Sequence, residues 1–209
     1  MILEAYYEPH FKDQSHGFRP HRGGLTALET IRKRWTGVKW FIEGDIKGCF
    51  DNIRHEKVLE LLRRKIHDNR FLKLVKDMLR AGYLEDWQYQ QTYSGTPQGG
   101  VGSPLLANIV LHELDCYIVD TLIPAYTQGQ QRAKNPTYNR IADQKYYAKQ
   151  GGNRQRYARL GQHLRHLARY DPYDPNYRRL RYIRYADDFL LGFIGPKGEA
   201  EAIKRQVGT

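Results

Sequence analysis

The chain is poor in cysteine, with Cys49 and Cys116 alone among 209 residues. Two cysteines so far apart have neither the spacing of a metal site nor the number needed for a disulfide framework. A reducing, intracellular setting is therefore the expectation. The sequence also lacks an apolar run of 18 residues and a signal-peptide pattern, so we expect neither a membrane-spanning segment nor secretion.

Acidic residues are also scarce relative to basic ones. The chain has 23 Asp and Glu against 34 Lys and Arg, which gives a net charge of +11 and a pI near 9.6. Such an excess favours a polyanionic partner such as nucleic acid. With 40% hydrophobic residues the chain still has enough apolar material for a core, in one domain or two small ones.

Most of the positive charge is concentrated in residues 124–180. This segment holds twelve Lys and Arg but three Asp, and so contributes +9 of the net charge. It has no strong hydrophobic periodicity, and eight of the sixteen Tyr lie in it. Interleaved basic and aromatic side chains predict an RNA- or DNA-binding insertion that becomes ordered on its ligand. A solvated surface loop or a self-association arm is the alternative.

The remaining sequence alternates between helical and strand patterns. Leu25, Leu28, Ile31 and Trp35 recur at helical spacing and predict the apolar face of an amphipathic helix. Residues 39–46 read as a strand that ends in Asp45. Two helices follow with Asp68 as a cap between them, then a strand pair over 83–93, and later helices over 105–122 and 198–207. The mixture predicts an α+β fold.

Two glycine-containing loops could approach a ligand closely. Residues 15–24 carry three glycines and two arginines, which could bind phosphate, although taken alone they favour a mobile loop with incidental arginines. Residues 96–104 end in Ser103 and Pro104, predicted as N-cap and first residue of a helix on whose surface Asn108 and His112 would lie. This loop lacks the Lys-Ser/Thr ending of an NTPase phosphate-binding loop.

The most informative stretch is Arg179 to Ile194, which places Asp187 and Asp188 within an apolar and aromatic hairpin pattern. Strand alternation continued through the pair would put Asp187 on the face of Ile183 and Tyr185, and Asp188 on the opposite face. The pair could be a solvated hairpin tip. A carboxylate held on a buried sheet would instead require a cation, because an unpaired buried charge is costly.

Asp45 is a third acid at a strand end. Bringing two such carboxylates within about 4 Å costs roughly 4 kcal/mol at an effective dielectric of 20, so a site that gathers them requires a divalent metal. Oxygen ligands with open positions favour Mg²⁺ carrying phosphates. Two such ions fit the two-metal scheme for nucleotidyl transfer, although other phosphoryl-transfer enzymes gather acids in a similar way.

Four motifs together carry a family resemblance. Residues 15–20 (SHGFRP), 45–51 (DIKGCFD), 96–100 (TPQGG) and 185–188 (YADD) occur in this order. The sequence closely resembles the reverse transcriptases of bacterial group II introns, over nearly the whole chain. The resemblance implies a right-hand polymerase, of which this chain would hold the fingers and a palm whose antiparallel sheet is backed by helices.

The resemblance also implies roles for single residues. Asp45 and Asp187 would bind two Mg²⁺ ions, for which Mn²⁺ could substitute, with Asp188 as third carboxylate and the Ile46 carbonyl as a further ligand. The nucleotide-binding residues would be Phe50 under the incoming sugar, Gln98 at the incoming nucleotide, and Arg19 at its triphosphate or the template.

The implied domain plan is a single reverse transcriptase unit, 1–209, without a thumb. Its parts would be fingers (1–38), palm with the first catalytic Asp (39–54), fingers and palm helices and strands (55–95), palm loop and helix (96–123), the basic insertion (124–180), and the palm YADD hairpin with a truncated helix (181–209). We expect this piece to be weakly active or inactive without its thumb.

The function implied is RNA-directed DNA polymerisation in a group II intron maturase, serving splicing and retrohoming in the bacterial cytoplasm. Its partners would be template and intron RNA, the DNA primer and its cDNA, and dNTPs, with no membrane, while homodimerisation stays open. The alternatives are a non-catalytic RNA-binding splicing scaffold with a palm fold, or a retron or diversity-generating reverse transcriptase.

Overall fold

The computed structural model describes residues 2–81, 83–85, 88–90 and 102–208, and at 50, 51, 83–85 and 88–90 the backbone alone. The first half is largely helical. Its elements are α1 (Ile2–Tyr7), a 3-10 turn (Glu8–His10), α2 (Gly24–Arg34), β1 (Trp40–Gly44), α3 (Cys49–Asn52), α4 (His55–Arg63), α5 (Asn69–Arg80) and the short strands β2 (Tyr83–Glu85) and β3 (Gln88–Gln90). The predicted cap is confirmed, since the Asp68 carboxylate accepts hydrogen bonds from the amides of Arg70 and Phe71.

The second half begins with a long helix and ends with a hairpin. Its elements are α6 (Ser103–Cys116), a π-helical segment (Tyr117–Leu122), α7 (Ile123–Ala125), α8 (Pro136–Gln150), α9 (Arg154–Arg165), β4 (Arg179–Tyr185), β5 (Asp188–Ile194) and α10 (Lys197–Val207). Helix α6 begins one residue earlier than predicted, with Gly102 as N-cap and Ser103 as its first residue. Helices and a small antiparallel sheet together confirm the α+β class.

The central sheet has three antiparallel strands in the order β1-β5-β4. One face packs on the π-helical segment and α10, with Ile42, Leu191 and Phe193 in that core. The other face packs on α2, where Ile183 contacts the cluster of Ala27 and Trp35. A third core joins α1, α4, α5 and α6 beside the sheet. The sheet is therefore covered by helices on both faces.

One segment is more regular than its sequence pattern indicated, and one predicted helix face is wrong. Residues 124–180 contain the helices α8 and α9, which pack on each other, although the segment has no strong hydrophobic periodicity. On α2, Leu25 is 84% exposed and Leu28 is 63% exposed, because the helix turns Ala27 and Ile31 toward the sheet instead. In the described part of the chain, no helix is both long and apolar enough to cross a membrane.

Candidate active site

The two aspartates of the hairpin lie at a tight turn between β4 and β5. Tyr185 pairs with Asp188, which leaves Ala186 and Asp187 as the two turn residues. Ala186 adopts a positive φ of 55°, a left-handed conformation that costs a non-glycine residue about 1–2 kcal/mol. The prediction that strand alternation continues through the pair is wrong, because the turn resets it. Asp188 shares its face with Tyr185, and Asp187 projects from the turn itself.

The third acid reaches the same edge from β1. The pairing of β1 with β5 ends at Gly44 opposite Phe189, so the next step along this register places Asp45 beside Asp188. Glu43 faces the same side of the sheet, two residues earlier. The structure therefore brings Asp45 close to Asp187 and Asp188, although more than 140 residues separate it from them in the sequence.

The closeness of the acids affects their electrostatics. The pKa of Asp188 is raised from its ordinary value, first by burial and then by the negative charges of Asp187, Asp45 and Glu43. Among the described residues, no Lys, Arg or His forms an ion pair with Asp45, Asp187 or Asp188. Over the part of the chain that the structure describes, the cluster is thus a concentration of negative charge that no ion pair neutralises.

The backbone after Asp45 supplies a further oxygen next to this cluster, the Ile46 carbonyl. The Cys49 amide donates to the Ile46 carbonyl at 3.0 Å, which leaves that oxygen a second lone pair for a ligand. Burial raises the pKa of the Cys49 thiol, and the charges of Asp187 and Asp45 raise it further. Cys49 is therefore a buried neutral thiol beneath the acids.

A formed metal site is not present in the described residues, where no group of three or more His, Cys, Asp or Glu has the arrangement of a metal-binding cluster. The donor set nevertheless fits a hard divalent cation, because it consists of carboxylate oxygens. Burial first, and then the negative charges of the neighbouring acids, raise the pKa of Asp188. The three acids are neighbours that a cation would draw together.

A cleft of about 400 Å³ opens beside the acids, between α2 and the sheet edge. Glu43, Tyr185 and Asp188 line one wall, and Leu28 and Ile31 of α2 line the other. Exposed Leu28 therefore faces an open channel that leads to the acids.

Behind the turn lies a buried ionic network centred on Arg184. This side chain is 0% exposed and pairs with Asp115 of α6, which is also 0% exposed. Its Nε and Nη2 donate to the two oxygens of Asp115 at 2.8 and 2.7 Å. Burial alone would lower the pKa of the guanidinium, but the hydrogen bonds and charge of Asp115 outweigh it and raise the pKa. Tyr182 donates to the same carboxylate at 2.7 Å.

The other donors of Arg184 reach three separate segments. Nη1 donates to the Ala186 carbonyl at 2.6 Å and to the Asn108 side chain at 3.1 Å. Nη2 donates to Ser15 Oγ at 2.9 Å. With the two bonds to Asp115, all five guanidinium N–H groups are used. A charged hydrogen bond of this kind contributes about 1.5–3 kcal/mol, which is enough to offset the strain at Ala186.

The loop after α1 packs directly on the turn. His16 donates its amide to the Arg184 carbonyl at 2.8 Å, and Arg184 donates its own amide to Gln14 at 2.9 Å. A β-carbon on Gly17 would collide with the backbone of Ala186, and the Asn108 amide group holds the Gly17 carbonyl at 2.8 Å. The loop 13–23 is therefore fixed by the protein.

The arginines of this loop are engaged in its structure. Arg19 is 7% exposed and binds the Glu8 carboxylate and the carbonyls of Lys12 and Ser15. Arg22 pairs with Asp13. These contacts account for both guanidinium groups without a phosphate, so the structure gives no support to Arg19 as a triphosphate ligand.

The remaining predicted site residues are only partly described. Phe50 lies in the short helix α3, four residues beyond Ile46, but its side chain is outside the described residues, as is the whole of Gln98. Their contacts with a nucleotide stay predictions.

Sequence reasoning missed the network and placed Asn108 on the helix surface, which is wrong because Asn108 is 1% exposed. The sequence did contain a signal for the burial of Asn108. Asn108 and Asp115 are seven residues apart, two helical turns, within a largely apolar helix. Two polar side chains in line on an apolar helix require a buried partner, and Arg184 provides it.

Comparison with known proteins decides the family. The family described as "Reverse transcriptase (RNA-dependent DNA polymerase)" matches residues 1–135. The chain belongs to the reverse transcriptase family. Enzymes of this family use divalent metal ions and act on nucleic acid, in agreement with the acid cluster and the basic charge. The resemblance to reverse transcriptases found in the motifs is thereby confirmed.

Individual relatives extend the similarity through the YADD hairpin. The chain is 42% identical to "Group II intron-encoded protein LtrA" of Lactococcus lactis over 99% of its length, and 36% identical to "Putative COX1/OXI3 intron 1 protein" of Saccharomyces cerevisiae over 100%. It is 32% identical to "Protein YkfC" of Escherichia coli over 99%. The chain covers 36%, 25% and 49% of these relatives, respectively.

Proposed function

We propose that the chain is the catalytic part of an RNA-directed DNA polymerase that transfers nucleotides with two divalent metal ions. The observation that carries this proposal is the convergence of Asp45, Asp187 and Asp188 at one sheet edge without a cation among the described side chains. Such a cluster repels itself unless a metal binds, and a reverse transcriptase of this family requires one.

The same proposal assigns the observed helices and strands to the subdomains of a polymerase. The three-stranded sheet with α6 and α10 would be the palm, and α1, α2 and the loop 13–23 would belong to the fingers. The cleft between α2 and the acids supports this division, because a nucleotide or template strand needs an open path to the carboxylates.

Asp45, Asp187 and Asp188 would hold two Mg²⁺ ions, and the free lone pair of the Ile46 carbonyl would complete the ligand set. When bound, the metal ions lower the pKa of an attacking 3′-hydroxyl and neutralise the departing pyrophosphate. The rigid sheet fixes the direction of Asp188, and the turn fixes that of Asp187. Gln98 and Phe50 would hold the incoming nucleotide, and the buried Cys49 thiol supplies an apolar floor.

The helical hairpin of α8 and α9 is proposed to bind the nucleic acid. Eight basic residues of the hairpin and its flanks are exposed, and none of them forms an ion pair within the described part of the chain. They are Lys134, Arg140, Lys149, Arg154, Arg156, Arg159, Arg165 and Arg169. Tyr146 and Tyr147 are 58% and 70% exposed among them, as stacking on bases requires. RNA is the partner we assign to this surface.

A role in group II introns is the third part of the proposal. It rests on the printed names of the relatives, which include a group II intron-encoded protein and, at 24% identity, "Nuclear intron maturase 1, mitochondrial" of Arabidopsis thaliana. On this basis the protein would bind its intron RNA, take part in splicing, and copy the RNA with dNTPs from a DNA primer.

Primer extension on an RNA template, with the whole natural protein, tests the catalytic proposal. We expect Asp187→Asn to abolish extension in Mg²⁺ and in Mn²⁺. Glu43→Gln is the matched control, because Glu43 carries the same charge on the same sheet edge but is not a proposed ligand. Extension that survives Asp187→Asn would overturn the assignment.

A non-catalytic RNA scaffold is the rival function, and the exposed basic residues of the α8–α9 hairpin fit it equally well. Direct Mn²⁺ binding separates the two. An enzyme loses Mn²⁺ affinity in both Asp45→Asn and Asp187→Asn, whereas a scaffold binds RNA equally well in all variants and binds no Mn²⁺ at these acids.

A further inference from the structure

We infer that Arg184 is a positioning residue that holds the Ala186 turn in its left-handed conformation and thereby aims Asp187 at the metal ions. This inference rests on the proposed function, since it takes Asp187 to be a metal ligand. Arg184 itself contacts neither substrate nor metal, and it acts through the turn.

The geometry separates this role from ordinary core packing. A guanidinium that only balanced Asp115 would need two of its N–H groups, and Arg184 uses the other three outside that pair. One of them goes to the carbonyl of Ala186, the residue with positive φ that directly precedes Asp187. The guanidinium therefore binds the one peptide group whose orientation decides where Asp187 points.

The opposite side of the turn is also supported. Gly17 packs on the Ala186 backbone, and Asn108 holds Gly17 and Arg184 at once. The turn is thus held between the guanidinium and the loop, and Asn108 couples the two. A polar network with every donor satisfied is rigid, because no member can rotate without losing a buried hydrogen bond.

The test uses Arg184→Lys in the whole natural protein. Lysine retains the charge beside Asp115 but lacks the planar fork that reaches Ala186 and Ser15. Arg178→Lys is the matched control, since Arg178 flanks the other end of β4 and pairs with Glu199 at 2.8 Å. In Arg184→Lys, we expect the rate of amide hydrogen exchange in residues 185–188, measured without metal, to rise at least tenfold. The dissociation constant for Mn²⁺ should also rise about tenfold in this variant, and neither quantity should change in Arg178→Lys.

A rescue variant distinguishes positioning from general stability. Ala186→Gly removes the steric cost of positive φ, so it should restore most of the Mn²⁺ affinity to Arg184→Lys even where the melting temperature stays low. Asn108→Ala, which keeps the Arg184–Asp115 pair, replaces Arg184→Lys where lysine prevents folding and should respond to Ala186→Gly in the same way.

Two results would overturn the inference. One is Mn²⁺ affinity within twofold of the unsubstituted protein in Arg184→Lys, and the other is no rescue by Ala186→Gly. Asp187→Asn is measured beside them. If Asp187→Asn loses Mn²⁺ binding and Arg184→Lys does not, the positioning role alone is refuted. If Asp187→Asn leaves Mn²⁺ binding unchanged, the proposed metal site itself is refuted.

Discussion

Gly17 packs against the backbone of Ala186 so closely that a β-carbon at position 17 would collide with it. These residues come from a loop near the start of the chain and from the hairpin turn near its end. Their contact joins the loop that precedes α2 to the turn that carries Asp187. The conformation of the candidate active site therefore depends on contacts formed across almost the whole chain.

Substitution of Gly17 by alanine tests this contact. Because the backbone of Ala186 cannot retreat without losing the Arg184 hydrogen bond, we expect Gly17→Ala to lower the free energy of unfolding by about 1–3 kcal/mol. Gly24→Ala is the control, since a β-carbon there meets nothing within 4 Å. Urea denaturation measures both. Equal stability of the two variants would contradict the close packing at Gly17.

Asp115 supplies the next prediction. Its removal in Asp115→Ala leaves the charge of Arg184 buried without a counter-ion, which costs about 3–5 kcal/mol of unfolding free energy. Asp120→Ala breaks an exposed pair with Lys12 nearby and should cost about 0–1 kcal/mol. Chemical denaturation of both variants gives the comparison. A small loss at Asp115 would show that Arg184 is not isolated from water.

The raised pKa of Asp188 predicts how stability depends on pH. The folded protein holds the proton of this carboxyl more tightly than the unfolded chain, so ionisation of Asp188 destabilises the fold above the raised pKa. We expect Asp188→Asn to be more stable than the unsubstituted protein at pH 7, and the difference to vanish below the ordinary value of 3.8. Thermal unfolding across pH measures it, and Mg²⁺ should stabilise only the protein that retains Asp188.

Asp13 gives the control of opposite sign. The hydrogen bond from Arg22 holds the pKa of Asp13 below its ordinary value, so this carboxylate stabilises the fold above that value and the effect is lost as pH falls through the lowered pKa. Asp13→Asn should therefore be less stable than the unsubstituted protein at pH 7. The same direction of change in both variants would refute the electrostatic explanation.

The sequence predicts those features of the structure that depend on interactions between residues close together in the chain. The strand over 40–44 and the Asp68 cap follow from alternation and capping chemistry, and both are confirmed. The three acids were found from their positions at strand ends, and the motifs then gave them a role.

The turn at Ala186 could not be read in the same way, because a non-glycine residue with positive φ is stabilised only by distant partners. The burial of Asn108 and Arg184 depends likewise on which helix lies behind the sheet. Local patterns therefore located the reacting groups but not the network that holds them in place.

The basic hairpin yields a prediction about salt. Replacing Arg154, Arg156 and Arg159 on α9 by glutamine removes three exposed charges that have no acidic partner in the described chain. If each contacts a phosphate of single-stranded RNA, the slope of log K against log salt should become shallower by about two. Affinity at low salt should fall in parallel.

A triple variant at Lys33, Lys57 and Lys73 makes the same change in net charge at residues that already pair with Glu29, Glu60 and Asp77. Because those lysines are neutralised by the protein, their replacement should leave the salt slope within about half a unit of the unsubstituted protein. Fluorescence anisotropy with a labelled RNA across salt concentrations measures both variants. Equal slopes in the two would mean that net charge alone attracts the RNA, and that the α8–α9 hairpin has no specific part in binding it.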